Sequence, residues 1–336
     1  MDLHTFINNI PKAELHVHIE GTFEPKLMFA IAKRNKIKTK YSSISQVKKA
    51  YQFSNLQDFL DVYYNSARVL TTEKDFYDLT ITYLKKAQSQ NIVHAEIFFD
   101  PQTHTERGIP FSVVINGIHK ALVTGKKIGI STKLIMCFLR HLSQQKAEET
   151  LQQALPYKKW ITAVGLDSSE KGHPPSQFQQ VFKKARQTGF LTVAHAGEEG
   201  SAAYVKQALE LLHVSRIDHG NHCLDNKNIT QNLIHQKIPL TICPLSNLKL
   251  NVVPYLKNHP LKKMMKKGLL VSINSDDPAY FGGYINENYY AIAQALHLSK
   301  QDIIILAKNS ITSSFLSERE KKQLYKQINL YSQHFL

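Results

Sequence analysis

Cysteine is scarce in this sequence: Cys137, Cys223 and Cys243 are the only three among 336 residues. An odd, widely spaced set excludes a disulfide framework, lacks the CxxC spacing of a cysteine zinc site, and fits a reducing cytoplasm. Long apolar runs are absent too. None approaches the roughly 20 residues that a membrane helix needs. The opening residues, MDLHTFINNIPKAELHVH, show no basic segment followed by an apolar one, so neither a secretory leader nor a membrane anchor is expected. No Pro/Gly/Ser-rich linker or low-complexity tract interrupts the chain, which reads as one domain over residues 1–336. Acidic residues are outnumbered, 27 against 42 Lys and Arg, for a net charge of +15. Such an excess attracts polyanions without specificity. Here, however, the lysines are dispersed as helix-surface pairs such as Lys48/Lys49 and Lys183/Lys184, and Lys262, Lys263, Lys266 and Lys267 have the spacing of a solvated helix face. A nucleic-acid partner is not expected.

What is present is apolar and periodic. Eight short, β-branched runs stand out: Ala13–Ile19, Val93–Phe99, Lys133–Phe138, Thr162–Leu166, Leu191–Ala194, Arg216–Asp218, Pro239–Ile242 and Leu269–Ile273. Continuous rather than alternating apolarity suits strands covered on both faces of a parallel sheet. Helical patterns lie between them. In 73–91, Phe76, Leu79, Tyr83, Leu84 and Ala87 fall on one face, with Thr72 as the candidate N-cap. Eight strands alternating with helices predict a (β/α)8 barrel. The segment 21–90 is too long for one crossover and is expected to add helices over the barrel mouth, at 23–35 and 56–70.

The distinctive polar residues cluster where the strands end: His16 and His18, Asp100, Arg140 and His141, Asp167, His195 and Glu198, His219, Ser246, then Asp276 and Asp277. In such barrels the C-terminal rim carries the chemistry. His16 and His18 lie two apart on a strand, so both imidazoles can point to one side and chelate an ion. Alone, the pair is weak evidence of a metal and reads first as two ordinary, partly buried histidines. His195 adds a third nitrogen and Asp276 an oxygen, a donor set that favours Zn²⁺ while admitting Fe²⁺ or Mn²⁺. His219 would face the same cavity, either as part of the site or as a core histidine. Glu198 reads either as a site carboxylate or as an acid favoured at a helix N-terminus. His4, His119, His213, His235, His259, His297 and His334 sit in helical or terminal settings and receive no role.

Taken in order, HVHIEG, HAGEEG, DHG and NSDDP resemble the motifs of the adenosine/adenine deaminase family of metal-dependent barrel hydrolases, over about Pro11 to at least Tyr284. The H-x-E…P-C-x-x-C signature of the other nucleobase deaminases is absent. The resemblance implies one zinc ion held by His16, His18, His195 and Asp276. It implies Glu198 as proton donor, His219 beside the attacking water, and Asp277 as the contact to the purine. The blocks FFDPQTHTERG (98–108), GLDSSEKGHPP (165–175), CPLSNLKL (243–250) and SDDPAYFGGY (275–284) resemble the adenine branch. So does Glu20, where the adenosine branch carries an Asp that helps bind ribose; the longer side chain would fill space that a sugar needs. The expectation is hydrolytic deamination of a free purine base in purine salvage. Alternatives are deamination of adenosine or of N6-substituted adenines, and, from another class, a basic nucleic-acid-binding barrel. A two-metal barrel hydrolase bridged by a carboxylated lysine is disfavoured, because Thr162–Leu166 contains no lysine.

Overall fold

The computed structural model describes residues 2–333 and 335. Eight strands form one parallel sheet in chain order. They are β1 (Lys12–His18), β2 (Ile92–Phe99), β3 (Ser131–Leu139), β4 (Ala163–Asp167), β5 (Leu191–Ala196), β6 (Arg216–His219), β7 (Leu240–Ile242) and β8 (Val271–Ile273). All but a few terminal strand residues are buried, as expected where helices cover one face and packed side chains fill the other. The predicted runs and the observed strands agree to within a few residues. The largest slips, two residues each, are at the starts of β3 and β8 and at the end of β5, which runs on to Ala196.

The sheet closes between β8 and β1 without a full ladder. One parallel bridge joins Val17 to Asp276. It consists of His18 N donating to Asp276 O at 2.9 Å and Asp276 N donating to His16 O at 3.1 Å. Deeper in the seam, Asn274 Oδ1 accepts from Leu15 N at 2.8 Å. The helix Lys300–Thr312 packs across the outside of this junction. Its Ser310 Oγ accepts from Ala13 N and its Asn309 Nδ2 donates to Val271 O, both at 2.9 Å. This is the (β/α)8 barrel that the alternation predicted.

Of the crossovers, the helix Glu73–Ser89 shows most directly why its sequence is helical. Thr72 and Asp75 form a reciprocal capping box, and Phe76, Leu79, Tyr83, Leu84 and Ala87 are buried, as the periodicity predicted. Before it, segment 21–90 holds three helices: Pro25–Arg34, Ile44–Ala50 and Leu56–Ala67. The seven-residue Ile44–Ala50, capped by Ser43, is too short for its periodicity to register in the sequence. Only Leu56–Ala67 lines the cavity at the mouth. Pro25–Arg34 instead packs on the flank, where Arg34 pairs with Asp75 and Asp78. The end of the mouth helix is pinned: the Arg107 guanidinium donates to the carbonyls of Ala67, Arg68 and Leu70, taking up acceptors that a helix C-terminus leaves free. Among the described residues no helix is long and apolar enough to cross a membrane.

Candidate active site

Strand β1 delivers the two histidines after a local irregularity. Its register against β2 slips between Glu14 and Val17. Glu14 accepts from Tyr83 Oη on the outer helix at 2.6 Å. His16 and His18, by contrast, meet groups on β4, β5 and β7 and just beyond β8. His16 Nδ1 lies 2.9 Å from Thr241 Oγ1, and its Nε2 lies 3.1 Å from Asp276 Oδ1. His18 Nδ1 lies 3.5 Å from Asp167 Oδ2, and its Nε2 lies 3.5 Å from Asp276 Oδ1 and 3.2 Å from His195 Nε2. His195 Nδ1 faces Asp218 Oδ2 at 3.7 Å. Each imidazole therefore turns its Nδ1 towards an oxygen and its Nε2 towards the others. Outer oxygens of this kind fix the tautomer of histidines that bind a metal.

The electrostatics of the cluster are divided: burial and the neighbouring His16, His219 and His18 push the His195 imidazole well below the ordinary histidine value, whereas His18 goes the other way. Burial disfavours an imidazolium at His18, yet Asp277, Asp100 and Asp167 outweigh that penalty and hold its pKa well above the ordinary value. Asp276 is held well below the usual carboxylate range: burial opposes this, and His16, His219 and His18 overcome it. Two ring nitrogens only 3.2 Å apart, His18 Nε2 and His195 Nε2, can share a proton or a cation. His195 Nδ1 and Asp218 Oδ2 are buried without a close hydrogen-bond partner. Three imidazoles and one carboxylate converging in this way suit a borderline divalent ion.

His219 occupies the far side of Asp276. Its Nε2 lies 3.8 Å from Asp276 Oδ2 and 3.6 Å from Glu198 Oε2. Donor atoms of His16, His195, His219 and Asp276 all lie within 4.8 Å of one another. His219 is thus drawn into the cluster, but against the carboxylate oxygen that His16 and His18 do not face. Burial depresses its pKa to about 3, so the ring is neutral near pH 7. Both His219 and Asp276 adopt left-handed backbone, with φ of 64° and 65°. Such conformations cost of order 1–3 kcal/mol for residues other than glycine and concentrate at functional sites.

Glu198 follows β5 and turns its carboxyl into the same cavity. The next helix starts only at Ala202, with Ser201 as its N-cap, so Glu198 is not a helix-terminus carboxylate. It is buried, its Oε1 has no partner, and burial next to Asp276, Glu170 and Glu199 raises its pKa well above the ordinary range. Asp277 is raised for the same first reason, burial, reinforced by Asp276. Its Oδ1 also lacks a partner. Both carboxyls line a cavity of about 30 Å³, room for a single water, whose wall also contains Asp100, Asp167 and Ser168. Leu56, Phe59, Leu60, Tyr63 and Tyr64 of the mouth helix line it as well. Tyr63 Oη donates to Asp100 Oδ2 at 2.9 Å, tying that helix to the rim of β2.

Glu20 differs from expectation in position. It is buried and does not line the cavity. Its Oε1 accepts from His104 Nε2 at 2.9 Å and from Asp100 N at 3.3 Å. Arg107 donates to His104 Nδ1 at 2.9 Å, which leaves the ring proton on Nε2 for Glu20. The motif at 98–108 is thereby accounted for: Asp100, His104 and Arg107 join Glu20 to the mouth helix. Sequence reasoning gave no role to Thr241 or Asp218, which bond each other at 3.0 Å beneath His16. Their signal is a polar side chain inside an apolar strand, where it must find a partner. Among the histidines left without a role, His259 is buried against Asn247, His119 stacks on Trp160, and His334 lies outside the described residues.

Similarity to known proteins accords with this geometry. The adenosine deaminase family model matches residues 11–331, nearly the whole chain. The chain belongs to the adenosine deaminase family. Within the family it is 58% identical to an adenine deaminase of Crocosphaera subtropica, over 96% of this chain and 99% of that one. It is 57% identical to an adenine deaminase of Acinetobacter baylyi, over 98% and 99%. The crystal structure of an adenine deaminase from Arthrobacter aurescens superposes with a TM-score of 0.95 at 46% identity, covering 96% of this chain and 99% of that one. An amidohydrolase from Burkholderia ambifaria, solved with bound Zn, shares the fold with a TM-score of 0.91 at 25% identity, over 98% and 94%.

Proposed function

We propose that this chain is an adenine deaminase that converts adenine and water to hypoxanthine and ammonia, acting in the cytoplasm as a single barrel unit. The observation that carries the reading is the convergence of His16 and His18 Nε2 on Asp276 Oδ1, with His195 Nε2 3.2 Å from His18 Nε2, beside two buried carboxyl groups that line one cavity. The full-length likeness to adenine deaminases selects the substrate. His16, His18, His195 and Asp276 would hold one Zn²⁺ per chain. Asp276 would offer Oδ1, which faces His16 and His18, while its Oδ2 faces His219. When bound, the ion lowers the pKa of a water molecule towards neutrality and so supplies a nucleophile.

The chain's own groups manage the protons. Glu198, kept protonated by burial among other carboxylates, gives its proton to purine N1 as the water oxygen bonds to C6. His219, kept neutral, takes a proton from that water and passes it to the departing amine. The C6–N bond breaks, ammonia leaves, and the remaining hydroxyl proton returns to Glu198 as the C6 carbonyl forms. Asp277, also protonated, donates to N7 and fixes the ring edge. Leu56, Phe59, Leu60 and Phe281 cover the ring faces. Glu20 acts at one remove, holding Asp100 and through it Tyr63. The test is parallel incubation of the zinc-loaded enzyme with adenine, adenosine and an N6-alkyladenine, with released ammonia measured. Adenine is expected to exceed adenosine in kcat/KM by at least about 100-fold, the discrimination available when hydroxyls would be buried unpaired. Equal turnover of the two refutes the choice of base over nucleoside.

A further inference from the structure

The loop that carries Glu198 has no regular structure of its own between the end of β5 and Ser201. Four consecutive peptide N–H groups in that loop need acceptors, and one side chain takes them all. Gly197 N donates to Glu170 Oε1 at 2.7 Å. Glu198 N, Glu199 N and Gly200 N donate to Glu170 Oε2 at 3.0, 2.8 and 2.7 Å. Glu170 is 1% exposed. Its two oxygens offer about four lone-pair sites, so this loop saturates them.

The rest of the surroundings make the clamp rigid. Glu170 sits in the loop after β4, where His173 N donates to Glu170 O at 3.1 Å and His173 Nδ1 lies 2.9 Å from Ser169 O. Arg140, at the end of β3, donates to His173 O at 2.8 Å and to His195 O at 2.7 Å. The β4 loop and the end of β5 are thus fastened at two points, one before Glu198 at His195 and one that spans it at residues 197–200. The glycines are part of the fit. Gly197 has φ of 71°, and a Cβ on Gly200 would lie 2.7 Å from Glu170 Oε1. The Glu198 carboxyl itself receives little support: its Oε1 has no partner and its Oε2 meets His219 only at 3.6 Å. Its aim is set by its backbone, and its backbone is set by Glu170.

We infer that Glu170 is a positioning residue that aims the Glu198 carboxyl at the purine by gathering the four backbone N–H groups of residues 197–200. This rests on the reading of Glu198 as the proton donor. Glu170→Gln replaces one acceptor oxygen with an NH2 that repels either the one N–H group on Oε1 or the three on Oε2, while keeping the volume. Glu170→Asp keeps the carboxylate but shortens its reach.

The experiment is a double-mutant cycle on adenine turnover with E170Q, E198Q and the combined variant. Metal content and circular dichroism are recorded for each. E170Q is expected to keep its ion and lose about 10- to 100-fold in kcat, with KM changed less than about threefold, as for a displaced rather than absent donor. E170D should recover part of that loss. The combined variant should be within about twofold of E198Q alone, because groups that act as one unit are not additive. If E170Q does not fold, E170D with E198Q completes the same cycle. Losses that multiply while E198Q is itself impaired overturn the positioning role and leave the proton donor standing, as does normal turnover by E170Q. Near-normal turnover by E198Q removes the proton-donor reading and this inference with it.

Discussion

Gly21 and Asp277 are in such close contact that no side chain fits between them. A Cβ built on Gly21 would lie 2.0 Å from Asp277 Oδ1 and 2.7 Å from its Cα. The glycine of HVHIEG is therefore needed for space rather than for an unusual backbone angle. Gly21→Ala must push the Asp277 carboxyl out of the cavity wall or move the strand end that carries it. Overpacking of this kind costs about 1–3 kcal/mol. The expected outcome is a folded protein whose kcat/KM for adenine falls at least about tenfold, since each 1.4 kcal/mol of lost alignment is a factor of ten. Steady-state kinetics with a thermal melt on the same sample checks it, and unchanged kcat/KM refutes the placement of Asp277.

Removal of the ion should cost stability as well as activity. The proposed ligands come from β1, β5 and β8, so a bound ion ties three strands at the rim. At free metal about 100 times its Kd, binding contributes about 2.7 kcal/mol. Chelation is expected to abolish ammonia release and lower Tm by about 4 °C. His16→Ala, His195→Ala and Asp276→Ala should each lose most of the bound metal. Full occupancy in all three variants would sink the ligand assignment.

His219→Ala and His18→Ala separate the roles of two of the three histidines that approach Asp276. If His18 is the ligand and His219 the proton acceptor, His219→Ala keeps its zinc and loses about 10²–10⁴-fold in kcat, the range for a positioned acid or base. His18→Ala should lose the ion. The reverse pattern, read by metal analysis, would exchange their roles.

Glu20→Asp should act through its partners. The shorter carboxylate cannot hold both His104 Nε2 and Asp100 N, so Asp100 and Tyr63 loosen. The adenine-over-adenosine ratio is expected to fall, mainly through a lower kcat/KM for adenine, by about 3- to 30-fold for misplacement of a wall residue. An unchanged ratio would mean that Glu20 has no part in base selection.

His259 makes acid stability predictable. Its Nδ1 accepts from Leu261 N and its Nε2 faces Asn247 Oδ1, both at 3.1 Å, so the neutral ring is the one that fits. Burial lowers its pKa to about 4. The unfolded chain therefore binds this proton first, and the stability from His259 is complete above pH of about 6.5 and declines as pH falls towards 4. The full decline is about 3 kcal/mol. Denaturant melts of wild type and His259→Asn between those limits should converge as pH falls; parallel curves would show that the ring is not titrating.

Much of this was legible in the sequence. Strand runs buried on both faces announced the barrel, and the rim residues were readable because His16, His18, His195 and Asp276 are chemically distinctive and stand where apolar runs stop. Glu170 was not, because it works on peptide N–H groups 27 to 30 residues further on, and backbone donors leave no mark in the side-chain pattern. Glu20 was placed against the substrate because it follows the histidines by only two positions. The turn Glu20–Thr22 buries it instead, which local spacing does not reveal. The flank position of Pro25–Arg34 was equally hidden, since it depends on Arg34 meeting Asp75 and Asp78, some 40 residues away.

The seam between β8 and β1 has a consequence for how freely this site can change. The peptide of Asp276 makes the backbone bridge that, among the described residues, closes the cylinder, while its carboxylate stands at the centre of the histidine cluster. Architecture and chemistry are vested in one residue, held at φ of 65°. A redesign that seeks a different metal or reaction by altering position 276 would tamper with the hoop as well as the tool, whereas Asp277, next door, can be varied for new substrates without unlocking the ring.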